Sequence, residues 1–222
     1  MSRLSVENNN ENRDREIADH PDFPLEQTKK IGTSPERGYL VVISAPSGGG
    51  KTTVIRRLLE IREADFVYSI SATTRAPRAG EQHGRDYYFL APEAFATQAH
   101  NNGFIEWAAV HGKLYGTPRV AVENWMAAGK LVFMDIDVQG GINVKNQYGA
   151  RAMLIFIKPP SMESLRDRLL GRNSDSPEAI KTRLQNATEE LRKAQLYDHV
   201  VVNHKLDDTV AEVRAIINQY RV

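Results

Sequence analysis

Residues 39–53, YLVVISAPSGGGKTT, constrain the possible fold more than any other stretch of this 222-residue chain. Their first half is an unbroken apolar run, which is typical of a strand buried on both faces of a parallel sheet. A glycine-rich turn follows at once, and a helical pattern then runs over residues 51–62. Glycines let successive backbone N–H groups turn inward, and a helix N-terminus attracts anions. The sequence therefore predicts a loop that wraps a polyphosphate.

The loop departs at one position from the usual pattern G-x-x-x-x-G-K-[ST], because Ala45 replaces the first glycine. Ala45 ends the predicted strand, where a methyl group fits if the backbone φ is negative. We expect Lys51 to reach the outer phosphates and the Thr52 hydroxyl to ligate a magnesium ion. A glycine-rich turn that binds nothing is the alternative, and the flanking strand and helix argue against it.

The composition is ordinary for a globular chain, and it excludes several classes of function. Hydrophobic residues make up 41% and charged residues 26%, and the net charge of +1 creates no field that would recruit nucleic acid or an acidic membrane. The absence of cysteine excludes disulfides and thiol catalysis. Because the sequence shows neither an apolar signal core nor a run of about 18 apolar residues, we expect a cytoplasmic protein.

Buried-strand patterns recur along the chain and alternate with amphipathic helical patterns. Strands are predicted at residues 39–44, 66–70, 104–110, 130–137, 151–157 and 199–202. Helices are predicted at residues 51–62, 92–102, 161–170, 178–195 and 207–220, with a further helix opened by Pro118. This alternation predicts an α/β fold of three layers, α/β/α, with a parallel, doubly wound core sheet.

Residues 1–37 differ from the rest of the chain. They contain three consecutive asparagines, three prolines, charges of both signs and few large apolar residues. Such a segment buries too little surface to offset its conformational entropy, so we predict a mostly disordered tail. A partner-binding or regulatory arm is the alternative.

A polar segment at residues 71–89, SATTRAPRAGEQHGRDYYF, carries Arg75, Arg78 and Arg85 and two tyrosines near its end. Glycines and a proline punctuate it, which is typical of a loop. Arginines three residues apart beside hydroxyl groups suit a phosphate ester, and a solvated loop is the alternative. Residues 111–116 are predicted to form a turn.

Acidic side chains interrupt or end two of the predicted strands. Glu106 stands between Ile105 and Trp107, and strand alternation places it on the face opposite to both, which alone predicts solvent exposure. Asp135 and Asp137 end another strand and, being two residues apart, are expected to share one face. An acid at the carboxyl end of a buried strand, in a chain with a phosphate loop, indicates a magnesium site, and helix capping is the alternative.

Two helical patterns joined by the polar residues 171–177 carry Arg168, Arg172 and Arg183. The first two arginines are four residues apart and share a helical face. This arrangement predicts a lid that closes over a phosphate site and excludes water. A surface helical hairpin is the alternative.

From about residue 38 to the C-terminus, the sequence resembles the guanylate kinases. The resemblance rests on the motifs APSGGGKT, SISATTRAPRAGEQHGRDYYF, FIEWA, LYGTP, DIDVQG and VVNHKLD, which occur in this order. It implies a kinase domain at residues 38–222, with a core at 38–70 and 118–222, a small mixed GMP-binding region at 71–117 and a helical lid at about 168–183. It also implies transfer of the terminal phosphate of ATP to GMP, and to dGMP, with Mg²⁺ as cofactor.

The resemblance also implies roles for individual residues. The ATP-binding residues are Ala45, Pro46, Ser47, Gly48, Gly49, Gly50, Lys51, Thr52, Thr53 and Asn203. The GMP-binding residues are Ser71, Arg75, Arg78, Tyr87, Glu106, Tyr115, Thr117 and Asp137. The residues that neutralise the transferred phosphoryl group are Lys51, Arg168, Arg172 and Arg183. The magnesium ligands are Thr52 and Asp135.

Two other functions stay open at this point. A related kinase acting on a sugar phosphate would keep the phosphate loop but should lack the guanine-reading residues. A non-catalytic peptide-binding module of the same family should have lost residues of the loop or lid. The sequence leaves open whether the chain forms a homo-oligomer.

Overall fold

The computed structural model describes residues 38–110, 112–171 and 176–220. Their internal contacts divide them into two compact units, one of residues 69–124 and one of residues 38–68 and 125–220. The predicted tail at residues 1–37 lies outside the described residues. None of the described helices combines the length with the apolar character that a membrane crossing requires.

Strands and helices alternate along most of the described chain. The strands are β1 Tyr39–Ser44, β2 Phe66–Tyr68, β3 Ala72–Thr73, β4 Tyr88–Phe89, β5 Phe104–Val110, β6 Lys113–Pro118, β7 Leu131–Asp135, β8 Ala152–Lys158 and β9 His199–Val202. The α-helices are α1 Lys51–Glu60, α2 Pro92–His100, α3 Arg119–Ala127, α4 Val138–Tyr148, α5 Met162–Leu170, α6 Pro177–Lys193 and α7 Leu206–Asn218.

The larger unit is built on a five-stranded sheet in the order β2-β7-β1-β8-β9, in which every neighbouring pair is parallel. On one face, Val54 of α1 and Val213 of α7 join the core around Val41 of the central strand β1. On the other face, α4 approaches β1 closely where Gly141 lies against Val42. Helices therefore cover both faces of β1, which explains its continuous apolar sequence. The predicted parallel α/β fold is confirmed.

The smaller unit contains a four-stranded mixed sheet in the order β4-β3-β6-β5, with one parallel and two antiparallel pairs. Phe95 of α2 stacks on Phe104 of β5, with ring centroids 4.4 Å apart. This sheet corrects the sequence interpretation, because β3 and β4 lie inside the predicted loop at residues 71–89 and β6 replaces most of the turn predicted at residues 111–116. These strands are short or polar, so they show no local alternation of apolar residues from which they could be predicted. They form because they pair with strands that are distant in the sequence.

The predicted strands and helices with stated bounds begin and end within two residues of the observed ones. Pro118 is the last residue of β6 and does not open α3. The strand predicted to reach Asp137 ends at Asp135, because the Asp137 side chain caps α4 by accepting from Gly140 N at 2.7 Å. The sequence interpretation did not include α4, whose apolar pattern is interrupted by glycines.

We expect Gly141→Ala to destabilise the protein, because an added Cβ would lie 2.4 Å from Tyr197 Oη and 3.3 Å from Val42 Cγ1. The Tyr197 ring is buried and its hydroxyl donates to Val138 O at 3.2 Å, so it has little room to move. Overpacking of this kind typically costs about 1–3 kcal/mol. Thermal unfolding of the variant, with the exposed Asn143→Ala in the same helix as control, measures the effect. An unchanged melting temperature would contradict the close approach of α4 to β1.

Candidate functional site

Residues 45–50 form the loop between β1 and α1, at the carboxyl edge of the parallel sheet. Gly48 and Gly50 have φ angles of 89° and 97°, in the left-handed region that favours glycine. A Cβ on Gly50 would also lie 2.5 Å from Asn203 Nδ2, so no side chain fits there. Ala45 is buried and is not among the described non-glycine residues with positive φ, so its methyl group fits as the sequence required.

Three polar side chains meet where α1 begins and β7 ends. Lys51 Nζ contacts Asp135 Oδ1 at 2.6 Å and donates to Ile136 O at 3.1 Å. Thr52 Oγ1 donates to Asp135 Oδ2 at 2.9 Å. The side chains of Lys51 and Asp135 are only 21% and 15% exposed, so water screens this ion pair weakly.

The pair Thr52 and Asp135 fits a magnesium site. A hydroxyl and a carboxylate supply the oxygen ligands that Mg²⁺ prefers, and Mg²⁺ usually takes one or two carboxylates and keeps several waters. The described residues contain no group of three or more His, Cys, Asp or Glu side chains that could hold a metal. Among the described residues, Thr52 and Asp135 would therefore hold Mg²⁺ with one carboxylate and one hydroxyl, and water would supply the other ligands.

Asn203 holds the loop from the side of β9. Its Nδ2 donates to Gly49 O at 3.0 Å, and its Oδ1 accepts from Thr209 Oγ1 at 3.1 Å. Gly49 O can only accept, so the amide nitrogen must face it and the Thr209 hydroxyl must donate. Arg168 donates to Asn203 O at 2.9 Å and to Gly49 O at 3.4 Å. Asn203, predicted as a contact to ATP, thus has an observed contact to the loop, and its contact to adenine stays a prediction.

Two of the three predicted lid arginines lie on the helices that were expected to carry them. Arg168 lies near the end of α5, beside the loop. Arg183 lies on α6, which packs on α5 through Leu165, Leu169 and Ala187. Arg172 lies outside the described residues.

Asp137 and Ser71, which were predicted to contact guanine, form hydrogen bonds within the chain. The expectation that Asp135 and Asp137 share one face is wrong, because the strand ends at Asp135 and Asp137 caps α4. Ser71 lies just before β3, where its carbonyl accepts from Tyr88 N at 2.9 Å. The roles of Ser71 and Asp137 in binding guanine stay predictions.

In the smaller unit, Arg75 lies at the centre of a polar and aromatic cluster. Its guanidinium donates to both oxygens of Glu81 at 2.8 and 2.9 Å, and Arg78 N donates to the same carboxylate at 2.7 Å. The Arg75 side chain lowers the pKa of Glu81 to about 2, with help from the Arg78 N–H. The Arg75 guanidinium lies 5.3 Å from the centre of the Tyr87 ring, and the centres of the Tyr87 and Tyr115 rings lie 6.1 Å apart. The structure thus brings Arg75, Tyr87 and Tyr115 together, and Arg78 joins this cluster through its backbone N–H.

Glu106 lies on β5 and is joined to β6 by a hydrogen bond of 2.7 Å from Thr117 Oγ1. Ile105 is 3% exposed and Trp107 is 53% exposed, so the prediction that Glu106 faces the opposite side from both is wrong. The pairing of β5 with β6 shifts register between Phe104 and Trp107, and this irregularity breaks the alternation. Glu106 is partly buried, with one carboxylate oxygen fixed by Thr117.

The sequence interpretation missed three residues that act on the site, Glu81 and Thr209 through hydrogen bonds and Glu190 through its charge. Glu81 had a visible signal, because it follows Arg75 and Arg78 at a regular spacing of three residues. Glu190 and Thr209 lie on the amphipathic helices α6 and α7, where the sequence alone does not show which polar residue faces the loop.

The buried parallel strand, the glycine loop and the Lys51–Asp135 pair define a P-loop protein of the class that binds nucleoside phosphates. A family model described as guanylate kinase matches residues 37–220. The chain belongs to the guanylate kinase family, and the family predicted from the motifs is confirmed.

Individual relatives agree with the family assignment. Guanylate kinase from Porphyromonas gingivalis is 48% identical over 182 residues, which cover 82% of this chain and 97% of that protein. Guanylate kinase from a Polaromonas species is 45% identical over 185 residues, which cover 83% and 89%. The crystal structure of guanylate kinase from Anaplasma phagocytophilum matches with a TM-score of 0.70 at 34% identity, over 84% of this chain and 88% of that one.

We expect Glu81→Gln to lower the melting temperature near neutral pH, because the ionised carboxylate binds Arg75 and Arg78 N. The pKa of Glu81 falls from an ordinary 4.5 to about 2, so this stabilisation is present above the ordinary pKa and is lost as the pH falls through the lower one. The difference between variant and wild type should therefore shrink below about pH 4. Calorimetry across this range measures it, with the exposed Glu93→Gln as control. A difference that stays constant down to about pH 2 would contradict the ion pair.

Proposed function

We propose that this chain transfers the terminal phosphate of ATP to GMP, giving ADP and GDP, and that it accepts dGMP as well. The observation that carries the proposal is the intact cluster of Lys51, Thr52 and Asp135 beside the glycine loop, in a chain of the guanylate kinase family. This cluster supplies a cation for the phosphates and oxygens for a metal, which a kinase needs and a binding module does not.

The loop between β1 and α1 takes the phosphates of ATP. The backbone of residues 45–53 surrounds them, and Lys51 reaches the outer phosphates. Thr52 and Asp135 hold Mg²⁺, which neutralises charge on the phosphates. Asn203 contacts adenine while its side chain keeps Gly49 in place.

The smaller unit takes GMP. Arg75, Arg78, Tyr87 and Tyr115 bind its phosphate, since a guanidinium and phenol hydroxyls are strong donors to phosphate oxygens. Glu81 holds the Arg75 guanidinium flat and in a fixed direction before it meets the ligand.

Glu106 reads the guanine base, with Ser71, Thr117 and Asp137 as further contacts. Guanine offers N–H donors at N1 and N2, and a carboxylate accepts from both. Adenine has an acceptor at N1, which would face the carboxylate where guanine offers a donor. A site that depends on such hydrogen bonds can reject the wrong base by roughly 10⁴-fold.

The transfer needs no protein nucleophile, because an oxygen of the GMP phosphate attacks the terminal phosphorus of ATP. A strong general base is not needed either, since a phosphate monoester near pH 7 is already largely ionised. Lys51, Arg168, Arg172 and Arg183 neutralise the charge of the transferred group. Residues 71–117 and the lid at about 168–183 close to exclude water during transfer.

The alternatives are less well supported. A kinase for a sugar phosphate has no need for Glu106 and Thr117, which lie bonded to each other in the smaller unit. A peptide-binding module has no need for Lys51 and Asp135. A cytoplasmic location stays a prediction of the sequence, which leaves open whether the chain forms a homo-oligomer.

A coupled assay of ADP release tests the function, with ATP, Mg²⁺ and each nucleoside monophosphate in turn. We expect turnover with GMP in the usual kinase range of about 1–100 s⁻¹ and almost none with AMP, CMP or UMP. Lys51→Ala serves as the inactive control. Absence of turnover with all four would contradict the proposal and direct the search to sugar phosphates, and then to peptide binding.

We expect Glu106→Gln to lower kcat/KM for GMP by about 100-fold or more, because an amide offers its oxygen to one guanine donor and sets its NH₂ against the other. KM for ATP should change little, since Glu106 belongs to the smaller unit. Steady-state kinetics with each substrate varied separates the two effects, and Glu93→Gln on the exposed side of α2 is the matched control. Near wild-type use of GMP would remove Glu106 as the guanine reader.

A further inference from the structure

Thr73 is a buried polar side chain of the smaller unit that has no role in the proposed reaction so far. It is the last residue of β3 and is fully buried. Its hydroxyl donates to Leu114 O of β6 at 2.9 Å and accepts from the backbone N–H of Arg75 at 3.2 Å. A hydroxyl has one hydrogen to donate and lone pairs that accept, so both bonds exist together. Thr73 thus joins β6 to a residue that is predicted to bind the GMP phosphate.

The hydrogen bond to Arg75 N determines how the chain leaves β3. A threonine hydroxyl that accepts from the N–H two residues later forms a side-chain turn, which takes the place of a backbone turn. The residue between them, Thr74, is also bonded to β6. Its N–H donates to Leu114 O at 3.0 Å, and its hydroxyl accepts from Leu114 N at 2.9 Å. Arg75 therefore follows two successive residues that are both held on β6.

The pairing of β3 in the sheet does not itself require the Thr73 hydroxyl. The Thr73 carbonyl accepts from Leu90 N at 2.9 Å, and Thr73 pairs in register with Tyr115 of β6. Leu114 O already accepts from Thr74 N. Valine is close to threonine in shape and also favours strands, so the sheet alone would accept valine here. The bond to Arg75 N is therefore the contact of the hydroxyl that the sheet does not duplicate.

The place of the Arg75 backbone matters because several partners surround its guanidinium. The side chain donates to both oxygens of Glu81 and lies 5.3 and 5.7 Å from the centres of the Tyr87 and Phe89 rings. The Tyr87 ring lies in turn 6.1 Å from the ring of Tyr115. A planar guanidinium meets a carboxylate, a phosphate or a ring well only in a narrow range of orientations. A shift of the backbone at Arg75 would therefore disturb its alignment with both tyrosines.

We propose that Thr73 is a positioning residue for the GMP phosphate. Its hydroxyl holds the backbone of Arg75 on β6, and so directs the guanidinium to the phosphate beside Tyr115. The proposal rests on the proposed function, because Arg75 binds the acceptor of the same reaction. Thr73 itself is buried and acts only through Arg75.

The first test compares Thr73→Val, which removes the hydroxyl, with Thr73→Ser, which keeps it. The matched control is Thr97→Val, because the exposed Thr97 hydroxyl also donates to a backbone carbonyl of the smaller unit, Glu93 O, at 2.9 Å. Steady-state kinetics with each substrate varied gives KM for GMP and for ATP. We expect Thr73→Val to raise KM for GMP about tenfold, the effect of weakening one hydrogen bond to a charged group. KM for ATP should stay within about twofold, and Thr73→Ser should keep both values within about twofold of wild type.

A second test reads the position of Arg75 without a substrate. Thr73→Val and Glu81→Gln are combined, and thermal unfolding gives the cost of Glu81→Gln with and without the Thr73 hydroxyl. We expect a smaller cost when the hydroxyl is absent, because the pair of Arg75 and Glu81 is then already loosened. In the Thr73→Ser background, the cost of Glu81→Gln should equal that in wild type.

Three results would overturn the proposal: an unchanged KM for GMP in Thr73→Val, an equal rise in Thr73→Ser, or costs of Thr73→Val and Glu81→Gln that simply add. If Thr73→Val does not fold, Thr73→Cys replaces it, because a thiol is a weak hydrogen-bond partner. Wild-type turnover with GMP tests the proposed function separately. Without such turnover the proposed function fails, and the combined variant alone decides whether Thr73 positions Arg75.

Discussion

The contact between Lys51 and Asp135 is the interaction on which the rest of the site depends. It joins the first residue of α1 to the last residue of β7, and so fixes the glycine loop to the carboxyl edge of the neighbouring strand. The two strands can meet there because β1 and β7 are parallel and in register from Tyr39 to Ile43. The parallel sheet requires strands buried on both faces, and this explains why apolar runs precede the polar ends of β1 and β7.

A loop whose N–H groups face a ligand must turn carbonyl groups the other way, and these need partners. Gly49 O meets Asn203 Nδ2 and the Arg168 guanidinium, and Asn203 is held in turn by Thr209. Asn203 and Thr209 are 6% and 1% exposed, so their hydrogen bonds replace water that the site excludes. Glycine at position 50 is required for the same reason, since the amide of Asn203 occupies the space of a side chain. The shape of the loop thus depends on residues more than 150 positions away in the sequence.

Sequence patterns predicted the parallel sheet, the glycine loop and the helices α1, α2, α5, α6 and α7, because each of them follows from a local sequence pattern. These patterns failed where pairing between strands that are distant in the sequence decides the structure. The strands β3 and β4 contain two residues each, and a register shift in β5 sends Trp107 outward. Among the residues that the sequence interpretation missed, Glu81 follows Arg75 closely, so the sequence carried a signal for it. The sequence carried no such signal for Glu190 and Thr209, because only the folded positions of α6 and α7 bring them to the site.

The cations predicted to meet phosphates are bonded to acceptors of the chain itself. Arg75 binds Glu81, Lys51 binds Asp135 and Ile136 O, and Arg168 binds Gly49 O and Asn203 O. Each bond restricts a long side chain that would otherwise sample many rotamers, so less entropy is lost when a phosphate arrives. A phosphate must also compete with these acceptors, so the cations add less affinity than free ones would. These bonds therefore favour recognition of a phosphate by its position more than by its charge. The proposed distinction between bases then depends on the partly buried carboxylate of Glu106.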